Sequence, residues 1–250
     1  MAVFKFAYFH MADERLKMND APASLQAGTE MTVSPWRAAV RARWAEIVFL
    51  SGLGVYTILA VFAYRYAYFD WDLTLATQIQ SINLAGFRTV MILVSRLGSG
   101  WFPTALVGGA GLVMIAARFR LEGTVCIFGV TLGAGVNRLL KEIIGRPRPN
   151  DTLVNVITEY RHESFPSGHV VFFIEYFGFL FFLAYVLLRR GRLRRGSLVL
   201  LGLLIALVGV SRIYMGAHWP SDVLGAYLAG GIWLMLMIVI YRRLKARQAS

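Results

Sequence analysis

The sequence predicts an all-α, polytopic membrane protein with six transmembrane helices and one interfacial helix, its chemistry gathered at the outer membrane–water boundary. Three observations predict this. Of 250 residues, 57% are hydrophobic and only 16% are charged, and the mean hydropathy of +0.58 lies on the apolar side of the usual soluble balance. Apolar runs that reach the roughly 20 residues needed to cross a bilayer recur along the chain. The basic residues behind the net charge of +12 gather beside those runs, where they act as topology signals. That placement makes nucleic acid the weaker reading of so basic a chain.

Residues 1–45 form a cytoplasmic arm, expected to be flexible, that ends in Arg37, Arg41 and Arg43. The arm lacks a sustained apolar core followed by a small-residue cleavage site, so it does not read as a signal peptide, and Met18 and Met31 are alternative starts. The first span is placed at 46–66. After it, the mixed segment 73–99 follows Asp70 and Asp72, contains Gln78, Arg88 and Arg96, and reads as the interfacial helix because its charges suit the headgroup layer. Further spans follow at 101–117, 121–144, 168–188, 196–214 and 221–241. Together, 46–241 make one membrane domain, and 242–250 make a basic cytoplasmic tail.

Charge assigns the two faces. Arg118 and Arg120 link the second and third spans, RRGRLRR (189–195) links the fourth and fifth, and YRRLKAR (241–247) follows the sixth. With the arginines of the arm, all fall on one face, which the positive-inside rule makes cytoplasmic, with both termini. The opposite face holds 67–100, the loop 145–166 and the turn 215–220. The single cysteine, Cys126, lies within an apolar run and forms no intramolecular disulfide.

That outer face carries the chemistry. The third span ends in KEIIGRPRPN, which supplies Lys141, Arg146 and Arg148 where the positive-inside rule disfavours basic clusters. Snorkelling at a helix end accounts for such residues singly; an anionic ligand accounts for them together. The fourth span opens with ESFPSGHVVFF, in which Ser167 is an N-cap candidate, Gly168 lets backbone N–H groups approach a ligand, and His169 sits in a first turn that favours anions. The fifth span ends in Ser211 and Arg212; His218, Pro220 and Asp222 follow at the start of the sixth. Asp222 leans back toward His218, and a histidine oriented by a carboxylate is a positioned base or nucleophile.

The order Lys-x6-Arg-Pro, Pro-Ser-Gly-His, Ser-Arg-x5-His-x3-Asp resembles the three-part signature of the type 2 phosphatidic acid phosphatase superfamily. It is matched here by Lys141, Arg148 and Pro149, by Pro166, Ser167, Gly168 and His169, and by Ser211, Arg212, His218 and Asp222. The motifs cover about 141–222 and the helix layout about 46–241; Val170 departs from the Ala or Thr more usual after the second motif. The resemblance implies a metal-independent lipid phosphatase of a bacterial plasma membrane, without cofactor. It makes His218 the nucleophile that becomes a phosphohistidine, Asp222 its orienting acid and His169 the proton donor. Lys141, Arg148, Ser167, Gly168 and Arg212 then bind the phosphate. The implied substrates are lipid phosphates: undecaprenyl pyrophosphate, phosphatidylglycerophosphate, phosphatidic acid or the phosphates of lipid A. A phosphotransferase, a phosphatase of small soluble phosphates and a silent lipid-binding protein are the alternatives. Vanadium-dependent haloperoxidases share the signature but are soluble.

Other polar residues carry smaller expectations. Glu175 and Arg138 are expected to form a buried structural pair. His162 and Glu163 are expected to be solvated, His10 is assigned no role, and Trp101, Phe165 and Trp219 are expected to flank the site and receive a lipid.

Overall fold

The computed structural model describes residues 35–158, 160 and 162–249; His10 and most of the arm lie outside the described residues. Among these there are eight helices and no strand. They are α1 (Pro35–Arg65), α2 (Asp70–Gln80), α3 (Phe87–Leu97) and α4 (Phe102–Ala116), followed by α5 (Arg120–Ile144), α6 (Gly168–Leu187), α7 (Arg192–Tyr214) and α8 (Pro220–Ala249). The outermost helices outrun the expected spans: α1 starts at Pro35, and α8 continues to Ala249.

Five helices are long and apolar enough to cross a membrane, and a sixth crossing exists if α3 and α4, bent by 61°, count as one broken span. The expected single interfacial helix over 73–99 is therefore corrected to two helices. Gly86, at φ +79, precedes α3, and Gly100, at φ +59, lies in the break before α4. Asp72 is not open to lipid headgroups either; it is fully buried, while Asp70, Arg88 and Arg96 are exposed.

Helix α6 is apolar on every face, as a helix surrounded by protein must be, and it packs against α5, α7 and α8. Helix α1 lies along α8 at the edge, α4 against α5, and α3 against the end of α7. Helices α4 and α5 meet through glycine: a Cβ at Gly123 would lie 2.5 Å from the Gly111 carbonyl. Small residues allow such close crossing where no hydrophobic force separates helix from lipid. At the opposite end from the signature motifs, buried Glu122 of α5 accepts hydrogen bonds from Tyr241 (3.0 Å) and Lys245 (2.7 Å) of α8.

Candidate active site

The ends of α5, α6 and α7 and the start of α8 bring the signature residues together. Helix α5 stops at Gly145, whose φ of +62 closes the helix, and the chain continues through Arg146 and Arg148. Lys141, one turn earlier, donates from Nζ to the carbonyls of Glu163 (2.7 Å) and Ser164 (3.1 Å). Arg148 donates to the carbonyls of His162, Glu163 and Ala217. The loop thus contributes His162 and Glu163 through backbone oxygens. Ser167 is the N-cap of α6, yet its buried hydroxyl makes no cap bond and has no partner; Nε and Nη2 of Arg212 are likewise buried and unpartnered.

His218 lies in the turn between α7 and α8. At Gly216 that turn presses against the loop after α5: φ is +66, and a Cβ would fall 2.3 Å from the Asn155 carbonyl. Only glycine satisfies both demands. His218 is 2% exposed, and its Nε2 faces Nη1 of Arg148 at 3.1 Å. A guanidinium only donates, so Nε2 is the acceptor and the ring proton resides on Nδ1. Nδ1 lies 3.4 Å from the Ser164 hydroxyl and 3.6 Å from Oδ2 of Asp222. The Ser164 hydroxyl donates in turn to that oxygen, as does the Trp219 N–H at 2.8 Å. Burial first, then the charges of Arg148, Lys141 and Arg212, hold the His218 imidazole well below its ordinary pKa, so it is neutral at pH 7. Arg148 is lowered to about 10, first by burial and then by Arg212, and stays charged.

Sequence reasoning missed several partners of these residues. Arg146, read only as part of a basic cluster, is 1% exposed. It donates to Oδ1 of Asp222 (2.5 Å), Oδ2 of Asp72 (3.0 Å) and the Ser221 hydroxyl (2.7 Å). From the broken span, Ser99 bonds His169 Nε2 at 2.9 Å, and Ser95 accepts from Arg212. Gly98 makes this possible, since a Cβ there would lie 2.5 Å from the His169 ring. Tyr160 accepts from Arg212 at 3.1 Å, and the guanidiniums of Arg212 and Arg148 lie 4.6 and 5.1 Å from its ring centroid. No local motif marks these residues; only a preference for polar groups at span ends pointed toward them.

Two expectations fail. Arg138 does not meet Glu175: buried Asn137 and Lys141 turn their face of α5 inward, so Arg138 points out and pairs with Glu142 at 2.6 Å. Glu175 instead lies over Gly133, where a Cβ would approach its Oε1 to 2.3 Å. Phe165 and Trp219 do not flank an opening either; they are fully buried and stack on Tyr56 and Tyr68, leaving Trp101 exposed.

Chemically, the site combines an unprotonated imidazole nitrogen, a second imidazole, and Lys141, Arg148 and Arg212. Among the described residues, no group of three or more His, Cys, Asp or Glu is arranged to hold a metal ion. Three basic side chains around an unprotonated imidazole nitrogen suit a tetrahedral oxyanion such as phosphate.

Comparison with known proteins agrees with that chemistry. The family model described as PAP2 superfamily matches residues 122–246. Phosphatidylglycerophosphatase B of Bacillus subtilis is 27% identical over 186 residues, covering 73% of this chain and 89% of that protein. The undecaprenyl-diphosphatase of Sulfolobus acidocaldarius is 28% identical over 166 residues, covering 63% of this chain and 71% of that protein. In fold, the chain is similar to the crystal structure of a transmembrane PAP2 type phosphatidylglycerolphosphate phosphatase from Bacillus subtilis. The TM-score is 0.68 at 24% identity, with 79% of this chain and 97% of that one covered.

Proposed function

Since the chain belongs to the PAP2 superfamily, we propose that it is a metal-independent lipid phosphatase hydrolysing a phosphomonoester or pyrophosphate through a phosphohistidine. The observation that carries this reading is His218 Nε2, an acceptor 3.1 Å from Arg148, beside the unpartnered Ser167 hydroxyl and Arg212 nitrogens. Lys141, Arg148 and Arg212 neutralise the equatorial oxygens, assisted by the Ser167 hydroxyl and the Gly168 N–H. Nε2 attacks phosphorus, the bond to the leaving oxygen breaks, and His169 protonates that oxygen. The Nδ1 proton remains on the ring, held by Ser164 and Asp222, which stabilise the cation. Water then attacks phosphorus, His169 takes its proton, the P–N bond breaks and phosphate departs.

The catalytic unit is the membrane domain 46–241. Its site faces the exterior of a bacterial plasma membrane, with arm and tail on the cytoplasmic side; the arginine-rich links support that orientation. The named activities of the relatives make phosphatidylglycerophosphate and undecaprenyl pyrophosphate the first substrates to test, with phosphatidic acid third.

The deciding assay is phosphate release by purified protein from these three lipids and from short-chain analogues, with and without EDTA. We expect chelator-resistant release and a clear advantage for long chains, since each buried methylene contributes about 0.8 kcal/mol. Equal kcat/KM for long and short chains would remove the lipid from the proposal. Dependence on a divalent ion would remove the metal-free step.

A further inference from the structure

The reading above needs Asp222 to be negative when His218 becomes a cation, yet Arg146 lies against Asp222 Oδ1 at 2.5 Å. Arginine does not lose its proton in proteins, so this contact alone would make a neutral pair and leave His218 with little stabilisation. The other side of Arg146 resolves the conflict. There Asp72, delivered by α2, accepts from Arg146 Nη2 at 3.0 Å, the Ser221 N–H and hydroxyl at 2.7 Å each, and the Phe69 N–H at 3.1 Å. Four donors on two oxygens are the setting of an ionised carboxylate, which only accepts. The side chains of Asp72, Arg146 and Asp222 are all 0% exposed, so water screens none of these charges. Two carboxylates against one guanidinium leave one negative charge beside His218.

We propose that Asp72 is a positioning residue that holds the Arg146 charge and thereby keeps the charge of Asp222 available to His218. It lies outside residues 122–246, which the family model covers, and outside every motif of the signature. The inference rests on His218 being the nucleophile. The other charged or titratable groups around His218 are Arg148 from the loop, Lys141 from α5, His169 from α6 and Arg212 from α7, and they are common to every variant below.

The experiment compares wild type, Asp72→Asn and the double variant Asp72→Asn with Arg146→Gln, each monodisperse in detergent, with one substrate across pH. Asp72→Asn removes the net negative charge, so kcat should fall about tenfold or more with KM within about twofold. The acid limb of kcat/KM should move to lower pH, because protonated His218 is less stabilised. The double variant restores the net charge, and its limb should return to the wild-type pH; it carries the test alone if Asp72→Asn does not fold. A merely structural Asp72 gives the opposite sign: loosened packing admits water and raises the limb toward about pH 6.5, the ordinary imidazole value. That result, or a double variant whose limb stays displaced, would overturn the proposal. Rapid quench of wild type with labelled substrate separates the premise from the inference. No phosphate on His218 removes both, whereas a wild-type phosphohistidine with a structural response at Asp72 removes only the inference.

Discussion

The two ends of the helix bundle handle charge in opposite ways. At the end where α7 begins and α8 finishes, Arg190, Arg192, Arg195, Arg242 and Arg243 are all exposed, and the buried acid Glu122 is matched locally by Tyr241 and Lys245. At the other end, Asp72, Lys141, Arg146, Arg212 and Asp222 are buried together. The first arrangement costs little and, by the positive-inside rule, would mark the cytoplasmic side in the orientation proposed above. The second is expensive to desolvate and persists only where partners surround each charge. How many charges an end carries reports topology, whereas how deeply they lie reports chemistry.

The largest test of this contrast is at His218. His218→Ala should abolish turnover and leave no phosphoenzyme in a rapid quench, while Asp222→Asn should retain substrate binding and lose about 10⁴-fold in kcat, by analogy with other histidine–carboxylate pairs. A phosphohistidine trapped in His218→Ala would move the nucleophile elsewhere.

A smaller effect is expected from pH. His218 is held below its ordinary value by burial and by Arg148, Lys141 and Arg212, so the folded protein takes up that proton later than the unfolded chain. Its contribution to stability is intact above about pH 6.5 and is lost as pH falls from there through the lowered pKa. Corrected for substrate ionisation, the acid limb of kcat/KM, which reports His218 and is separate from the alkaline limb expected of the proton on His169, should fall below about pH 6.5. A decline centred at or above that pH would mean a solvated His218.

The smallest catalytic effect belongs to the opposite end. Glu122→Gln should cost about 1–3 kcal/mol of stability, since it weakens the bonds to Tyr241 and Lys245, and should leave kcat/KM within about twofold. Thermal unfolding in detergent, read beside activity, separates the two. A large kcat loss without unfolding would show that the ends are coupled.

Five of the six spans and the signature residues were legible in the sequence because hydropathy and spacing are local; the span expected at 101–117 is only the fifteen-residue α4 and needs α3 to complete a crossing. Lys141, His169, Arg212 and His218 announced themselves as ionisable groups at the ends of apolar runs. Asp72, Ser95, Ser99 and Tyr160 did not, because each reaches the site by tertiary contact across a long stretch of chain. Asp72 was misread for a physical reason: an acid in the first turn of a short polar helix looks solvated unless its buried arginine is known. The failed Arg138–Glu175 pair has a similar origin, since a one-residue step on a helix turns a side chain by about 100°.

The bend between α3 and α4 has a mechanical consequence. At about 1.5 Å per residue, fifteen-residue α4 extends about 22 Å, short of a hydrocarbon core of about 30 Å. If α3 and α4 make one crossing, the remaining depth falls to α3 and to the joint at Gly98, the element that seats Ser99 on His169 and Ser95 on Arg212. A bilayer thinner than the α3–α4 pair is long would be met by tilting, and any tilt of α4 would bear on the short joint that seats Ser99 against His169.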